Sequence, residues 1–234
     1  MKTFDIVSLL NLLKERRIIS ISGESGTGKT TLALQLVASA LTREGATKNQ
    51  AVWVQASEQF PKKRLQAFFK NTPDSYKTLL KRIFLYPGSY SFLSYQEQST
   101  FFTTLVSVIL PFSTKYIVID NVSHYLRFAA SCCSDVKQKM ALLDEFFNSQ
   151  LFPLIMRCLR EEIVLILIHE VSFNPALGKN QPFFNKLYSR INSVNVSLSK
   201  PFGSKSKSME LASRDELIAK EVKYKIKNKG ISLI

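Results

Sequence analysis

Cysteine and histidine are scarce. Three cysteines (Cys132, Cys133, Cys158) and two histidines in 234 residues provide neither a disulfide framework nor a dedicated zinc site. Acidic residues are also few: Lys and Arg number 32 against 18 Asp and Glu. The resulting formal net charge of +14 predicts a polyanionic partner, nucleic acid first and acidic lipid or protein second. No long apolar run is free of charge. The longest, Leu151 to Ile168, is interrupted by Arg157, Arg160, Glu161 and Glu162, whereas a membrane span needs about 20 nearly uncharged residues. The start Met1-Lys2-Thr3-Phe4-Asp5 lacks a signal-peptide layout, because an acid and Asn11 break the apolar stretch. These absences predict a reducing, cytoplasmic setting (nucleoid-associated in a prokaryote) and no membrane partner. Linkers rich in Pro, Gly or Ser are missing too, as are internal repeats, so residues 1–234 are expected to form a single domain. What is present is ordinary apolar content, 45% hydrophobic with 17 Phe to bury, and this excludes disorder for the chain as a whole.

Apolar runs of strand length alternate with longer helical stretches, which predicts an α/β fold with a mostly parallel sheet flanked by crossover helices. Strands are expected at 17–22, 51–56, 83–86, 115–120 and 163–168, the last being the most apolar and therefore central. Helices are expected at 30–41, 62–69, 95–110, 136–147 and, after Pro153, 154–160. Residues 17–170 form the expected core, and 187–234 a β-rich basic extension of the same sheet. There Val222 to Lys227 alternates strictly, with Val222, Tyr224 and Ile226 on one face and three lysines on the other. That pattern predicts a half-exposed antiparallel strand at a sheet edge. Its lysines fit either a solvated face that discourages edge pairing or part of a nucleic-acid track.

Gly23-Glu24-Ser25-Gly26-Thr27-Gly28-Lys29-Thr30 satisfies G-x-x-x-x-G-K-[ST]. Average residue usage would produce this pattern in about one chain in a hundred of this length. Here a strand runs into it and a helix leaves it, as phosphate binding requires. The glycines let consecutive backbone N–H groups turn inward as a nest, and the helix N-terminus adds partial positive charge. Lys29 is expected to bridge the β- and γ-phosphates of ATP, and Thr30, followed by Thr31, to ligate Mg2+.

Two carboxylates complete the expected site. Lys115-Tyr116-Ile117-Val118-Ile119-Asp120 is an apolar strand ending in an acid, the form of a Walker B element, with Asp120 as a second magnesium ligand. Glu58, just past the 51–56 strand, can reach the γ-phosphate side and activate water; a solvent-facing acid at a helix start is the competing reading.

These residues together resemble the RecA/RadA recombinase superfamily, and within it the short archaeal RadB type. The family's "DTEG…ERL" is similar to Ala56-Ser57-Glu58-Gln59 with Lys63-Arg64-Leu65, which implies Glu58 as the base and Arg64 packed on adenine. Its "DS(I/L)TALYR" is similar to Asp120-Asn121-Val122-Ser123-His124-Tyr125-Leu126-Arg127, and its closing "F-x-I-x-x-x-G-I" to Tyr224–Ile231. Where the family has "TNQV", this chain has Ile168-His169-Glu170-Val171, so the sensor glutamine is replaced by Glu170. A carboxylate there repels the γ-phosphate unless it is protonated or paired, with Lys or Mg2+ as candidate partners. The Gly-Gly before the first strand is absent from Leu9 to Arg17, and of the family's "KHR" only Arg214 remains.

The resemblance implies a RecA-like fold, and an ATPase with weak or moderate, DNA-dependent turnover that acts as an accessory paralogue in homologous recombination and DNA repair. It further implies single-stranded DNA, a main recombinase and further copies of the chain as partners. DNA-facing loops are expected at about Arg127 to Lys139 and Ser172 to Lys186. Lys137, Lys139, Lys179 and Lys186 would meet phosphates there. Phe183 and Phe184 would either stack on bases or anchor the loop to the core. Two other readings share the same core: a KaiC-like regulatory ATPase acting on proteins, and a nucleotide-binding scaffold that hydrolyses little.

Overall fold

The protein, seen here in a computed structural model, is described at residues 17–176, 178–201, 203, 206–213 and 220–234. The glycine-free stretch at 9–16 and Arg214 lie outside these residues.

Strand β1 (Ile18–Gly23) leads into helix α1 (Lys29–Leu41), followed by β2 (Gln50–Gln55), α2 (Lys62–Phe68), α3 (Pro73–Leu80) and β3 (Ile83–Tyr86). Helix α4 (Tyr95–Leu105), β4 (Thr114–Asp120), α5 (His124–Ser131) and α6 (Val136–Phe146) come next. A π-turn over Phe147–Leu151 joins α6 to α7 (Phe152–Arg160), which precedes β5 (Val164–His169). A hairpin of β6 (Val171–Asn174) and β7 (Lys179–Pro182) and the short α8 (Asn185–Tyr188) lead to β8 (Val194–Ser199), β9 (Lys207–Ser213), β10 (Lys220–Lys227) and β11 (Gly230–Leu233).

Nine strands form one sheet in the order β11-β10-β9-β8-β1-β5-β4-β2-β3. From β8 to β3 every neighbour is parallel; β8 through β11 run as an antiparallel meander. This is the mostly parallel, helix-flanked sheet with antiparallel C-terminal strands that the alternation predicts. Strand β5 lies between β1 and β4 and is apolar toward both faces, with Ile166 and Ile168 on one side and Leu165 and Leu167 on the other.

Helix α1 is apolar around most of its circumference, with Leu32, Leu34, Leu36, Val37 and Leu41 all buried, because sheet, α2 and the C-terminal strands surround it. Helices α4 to α7 cover the other face over β5, β4 and β2. Past β1 that second face turns polar: Ser20 pairs with Asn195, Ser22 with Ser197, and Ser199 with Ser208. No helix among the described residues is long and apolar enough to cross a membrane.

The structure corrects several expectations. The 95–110 helix ends at Leu105, because β-branched Val108 and Ile109 and then Pro111 follow, and Ile109 is exposed. The expected DNA loop 127–139 is largely helical. Residues up to Ser131 belong to α5, and Asp135 caps α6 by accepting from the Gln138 amide at 2.8 Å. The 172–186 loop is a hairpin followed by a helical turn. Pro153 causes no break, since it occupies the first turn of α7, where its missing N–H is harmless. Strand β10 has the expected lysine-out, apolar-in alternation, yet it is not the edge: β11 lies outside it. Helix α3 has no counterpart in the expected elements, although Pro73 marks its first turn.

Candidate functional site

The parallel strands β1, β2, β4 and β5 all point their carboxyl ends at one cavity of about 680 Å3, which is where an open α/β sheet binds ligands. The 23–28 loop forms one wall. Thr27 is fully buried and closes the turn, its hydroxyl donating to the Glu24 carbonyl at 2.8 Å. Gly28 caps α1 with φ at +96°, a left-handed conformation that L side chains rarely adopt. A Cβ on Gly28 would also lie 2.7 Å from Ile226 Cδ1. Gly23 passes so close to β8 that a Cβ would sit 2.4 Å from the Leu198 carbonyl. The loop therefore nests against the C-terminal strands, and Tyr224 fixes it by donating its hydroxyl to the Thr27 carbonyl at 2.6 Å.

Lys29 reaches across the loop mouth and donates to the carbonyls of Gly23 (2.8 Å) and Glu24 (3.0 Å). Burial lowers its pKa, while Asp120, Glu170, Glu58 and Glu24 pull the other way. Thr30 donates its hydroxyl to Asp120 Oδ2 at 2.8 Å. Burial pushes the Asp120 carboxyl up to about 6; the Thr30 hydrogen bond opposes that rise and Glu58 adds to it. Glu58 is exposed at the cavity rim, past the end of β2. Gly23, Glu24, Ser25, Gly26, Gly28, Lys29, Thr30, Thr31, Glu58, Asp120 and Glu170 thus line one space. Arg64 does not: it lies half-buried on α2, outside the cavity lining.

Glu170 is held by partners other than the expected Lys or Mg2+. Its Oε2 accepts from Arg127 Nη1 at 3.0 Å, and its Oε1 from Asn121 Nδ2 at 3.2 Å, with His124 Nδ1 also 3.2 Å away. Partial burial alone would raise its pKa, but the hydrogen bonds from His124, Arg127 and Asn121 outweigh that and leave it lowered. The carboxylate is therefore ionised and paired. Ser57, Asn121 and Ser123 stitch the strand ends beneath it: Asn121 N donates to Ser57 Oγ, and Glu170 N to Ser123 Oγ, both at 3.1 Å.

The hairpin closes the side of the cavity. Asn180 donates to the Glu24 carboxylate, and the Phe183 ring lies 4.3 Å under the Arg127 guanidinium. Phe184 packs against the core. Sequence reasoning missed Asn121, His124 and Asn180 and placed Arg127 on a DNA loop. The signal available was the three-residue spacing of His124 and Arg127, which puts both on one face of a helix.

The donor set suits a magnesium–triphosphate group. Loop amides and an ammonium face the cavity, and a hydroxyl–carboxylate pair stands beside them. Four carboxylates against two cations line the space, so a polyphosphate entering it requires a divalent counter-ion. Among the described residues no three His, Cys, Asp or Glu gather as metal ligands. A cation at Asp120 would accordingly draw its remaining ligands from phosphate and water, as Mg2+ does.

The family described as AAA domain matches residues 12–167. Among solved structures the chain is similar to one titled "Crystal structure of the RadB recombinase", with 20% identity, a TM-score of 0.66, and coverage of 92% of this chain and 89% of that one. At that identity the likeness shows the fold, a RecA-type P-loop fold. No curated protein matches the chain in sequence.

Proposed function

The chain belongs to the AAA domain family, and from that premise we propose that it is an ATP- and DNA-binding recombinase paralogue that acts in homologous recombination and DNA repair, with weak or moderate DNA-dependent ATPase activity. The observation that carries this reading is the convergence of Lys29, Thr30, Asp120 and Glu58 on one cavity at the strand ends. The 23–28 backbone and Lys29 bind the β- and γ-phosphates. Thr30 and Asp120 hold Mg2+, which when bound neutralises phosphate charge. Glu58 aligns and deprotonates water. Arg64 is left to contact adenine outside the phosphate cavity. The net charge of +14, the exposed Lys137, Lys139 and Lys186, and the likeness to a recombinase support DNA as the polyanion. A main recombinase or further copies of the chain would be its protein partners.

The test is ATP turnover with and without single-stranded DNA at two salt concentrations. Turnover should rise with DNA at low salt and lose that rise steeply as salt increases. Lys29→Ala should abolish nucleotide binding, and Glu58→Gln should keep binding while slowing turnover about 100-fold or more. Turnover without any DNA binding at micromolar protein would replace this reading with a regulatory ATPase. Binding with equal, negligible turnover in parent and Glu58→Gln would leave a scaffold.

A further inference from the structure

Arg127 and Lys29 are the two cationic side chains that line the phosphate cavity. Lys29 belongs to the loop. Arg127 alone of the two touches the β6–β7 side of the cavity, through Glu170 at the end of β5 and Phe183 just past β7. We infer that Arg127 distinguishes triphosphate from diphosphate: its guanidinium exchanges Glu170 for the terminal phosphate, and in doing so releases Phe183 and loosens the hairpin. The inference rests on the proposed nucleotide site.

Three observations carry it. The Arg127–Glu170 pair is half exposed on the arginine side, so it is weak enough to be exchanged. A single guanidinium nitrogen, Nη1, meets Glu170, which leaves the planar fork able to take a phosphoryl group in the two-pronged manner that arginine favours. Glu170 can also spare the contact, because Asn121 Nδ2 and His124 Nδ1 remain at its other oxygen. The exchange has a mechanical consequence. The guanidinium that would move is the one stacked on Phe183, and the Phe183 amide donates to the Glu170 carbonyl at 2.9 Å. The far side of the hairpin is tied to the loop itself through Asn180 and Glu24. Movement of Arg127 is thereby transmitted to the 171–183 segment.

The experiment compares equilibrium binding of Mg2+-ADP and a non-hydrolysable Mg2+-ATP analogue to the parent, Arg127→Gln, Arg127→Lys, Glu170→Gln and Lys29→Ala, with amide hydrogen exchange over 171–183 in each state. Arg127→Gln should lose about tenfold in analogue affinity and keep its ADP affinity. The parent hairpin should exchange faster with the analogue bound, and the Arg127→Gln hairpin should not respond. Arg127→Lys should recover part of the preference for the analogue. Glu170→Gln, which removes the competitor and keeps the shape, should bind the analogue more tightly and show a loosened hairpin without nucleotide. Equal losses for ADP and analogue in Arg127→Gln, or unchanged analogue affinity in Glu170→Gln, would overturn the inference. Failure of the parent to bind either nucleotide, or binding unaffected by Lys29→Ala, would overturn the nucleotide site and this inference together; parental binding with an unaltered preference in Arg127→Gln removes the role of Arg127 alone.

Discussion

The Tyr224 hydroxyl donates to the carbonyl of Thr27, 197 residues earlier, at 2.6 Å. The lysine-studded strand β10 thus turns its apolar face onto the phosphate loop, with Ile226 against Gly28 and Tyr224 beneath Thr27. Burial raises the phenol pKa, so the hydroxyl stays a donor throughout the working pH range.

Tyr224→Phe keeps the packing and removes that one bond. The buried Thr27 carbonyl then loses its side-chain donor, at a cost of about 1–2 kcal/mol. For a chain of this length that is a fall of roughly 2–8 °C in Tm. Nucleotide affinity should drop a few-fold, because the loop loses its brace. Thermal melts and ADP titrations check both, and unchanged values would mean that β10 does not hold the loop.

Asp120 gives a dependence on pH. Its carboxyl is raised to about 6 in the folded protein against an ordinary 3.8, so between those values the folded state binds the extra proton. Without a cation, its contribution to stability therefore falls as pH rises from about 4 to about 6, by about 3 kcal/mol in all. Magnesium requires the ionised form and reverses the preference. The stabilisation by Mg2+-nucleotide, read as a shift in Tm, should be full at pH 7.5 and fade below about 6. Asp120→Asn should show little shift at any pH.

His169 acts in the opposite sense. It is fully buried against the Tyr188 ring, 4.3 Å between centroids, and burial lowers its pKa from 6.5 to about 3. The unfolded chain binds a proton that the folded one refuses, so stability is lost as pH falls below about 6.5, by about 1.4 kcal/mol per unit. Because Asp120 opposes this between about 4 and 6, the slope is cleanest in an Asp120→Asn background. Urea midpoints there should drop steadily from pH 7 to 5, and His169→Leu should flatten the line. An unchanged slope would mean that the imidazole is protonated in the fold.

What was legible in the sequence is what is local. Residues 23–30 carry their own strand, turn and helix within one stretch, and Asp120 and Glu58 each mark the end of an apolar run. The environment of Glu170 was not legible. Asn121, His124 and Arg127 lie 43 to 49 residues before it, and no spacing rule links the end of one strand to a helix that follows another. The grip of Tyr224 on Thr27 is hidden for the same reason. Helix α5 was read as part of a loop because only Leu126 and Ala130 are buried in it, too few to set a period. Strand β11 escaped because Gly230-Ile-Ser-Leu is short, and what holds it is Gln35 of α1, which accepts from the Ile231 amide at 2.7 Å and donates to the Ile231 carbonyl at 3.2 Å.

The bracing of the phosphate loop by β10 and β11 also bears on the order of events during translation. The loop leaves the ribosome about 200 residues ahead of Tyr224, Ile226 and Ile231. A nascent chain stalled before those residues carries every atom of the phosphate cradle and lacks its supports. Capture of nucleotide is therefore acquired late in synthesis, and truncated translation products are poor competitors for the cellular nucleotide pool.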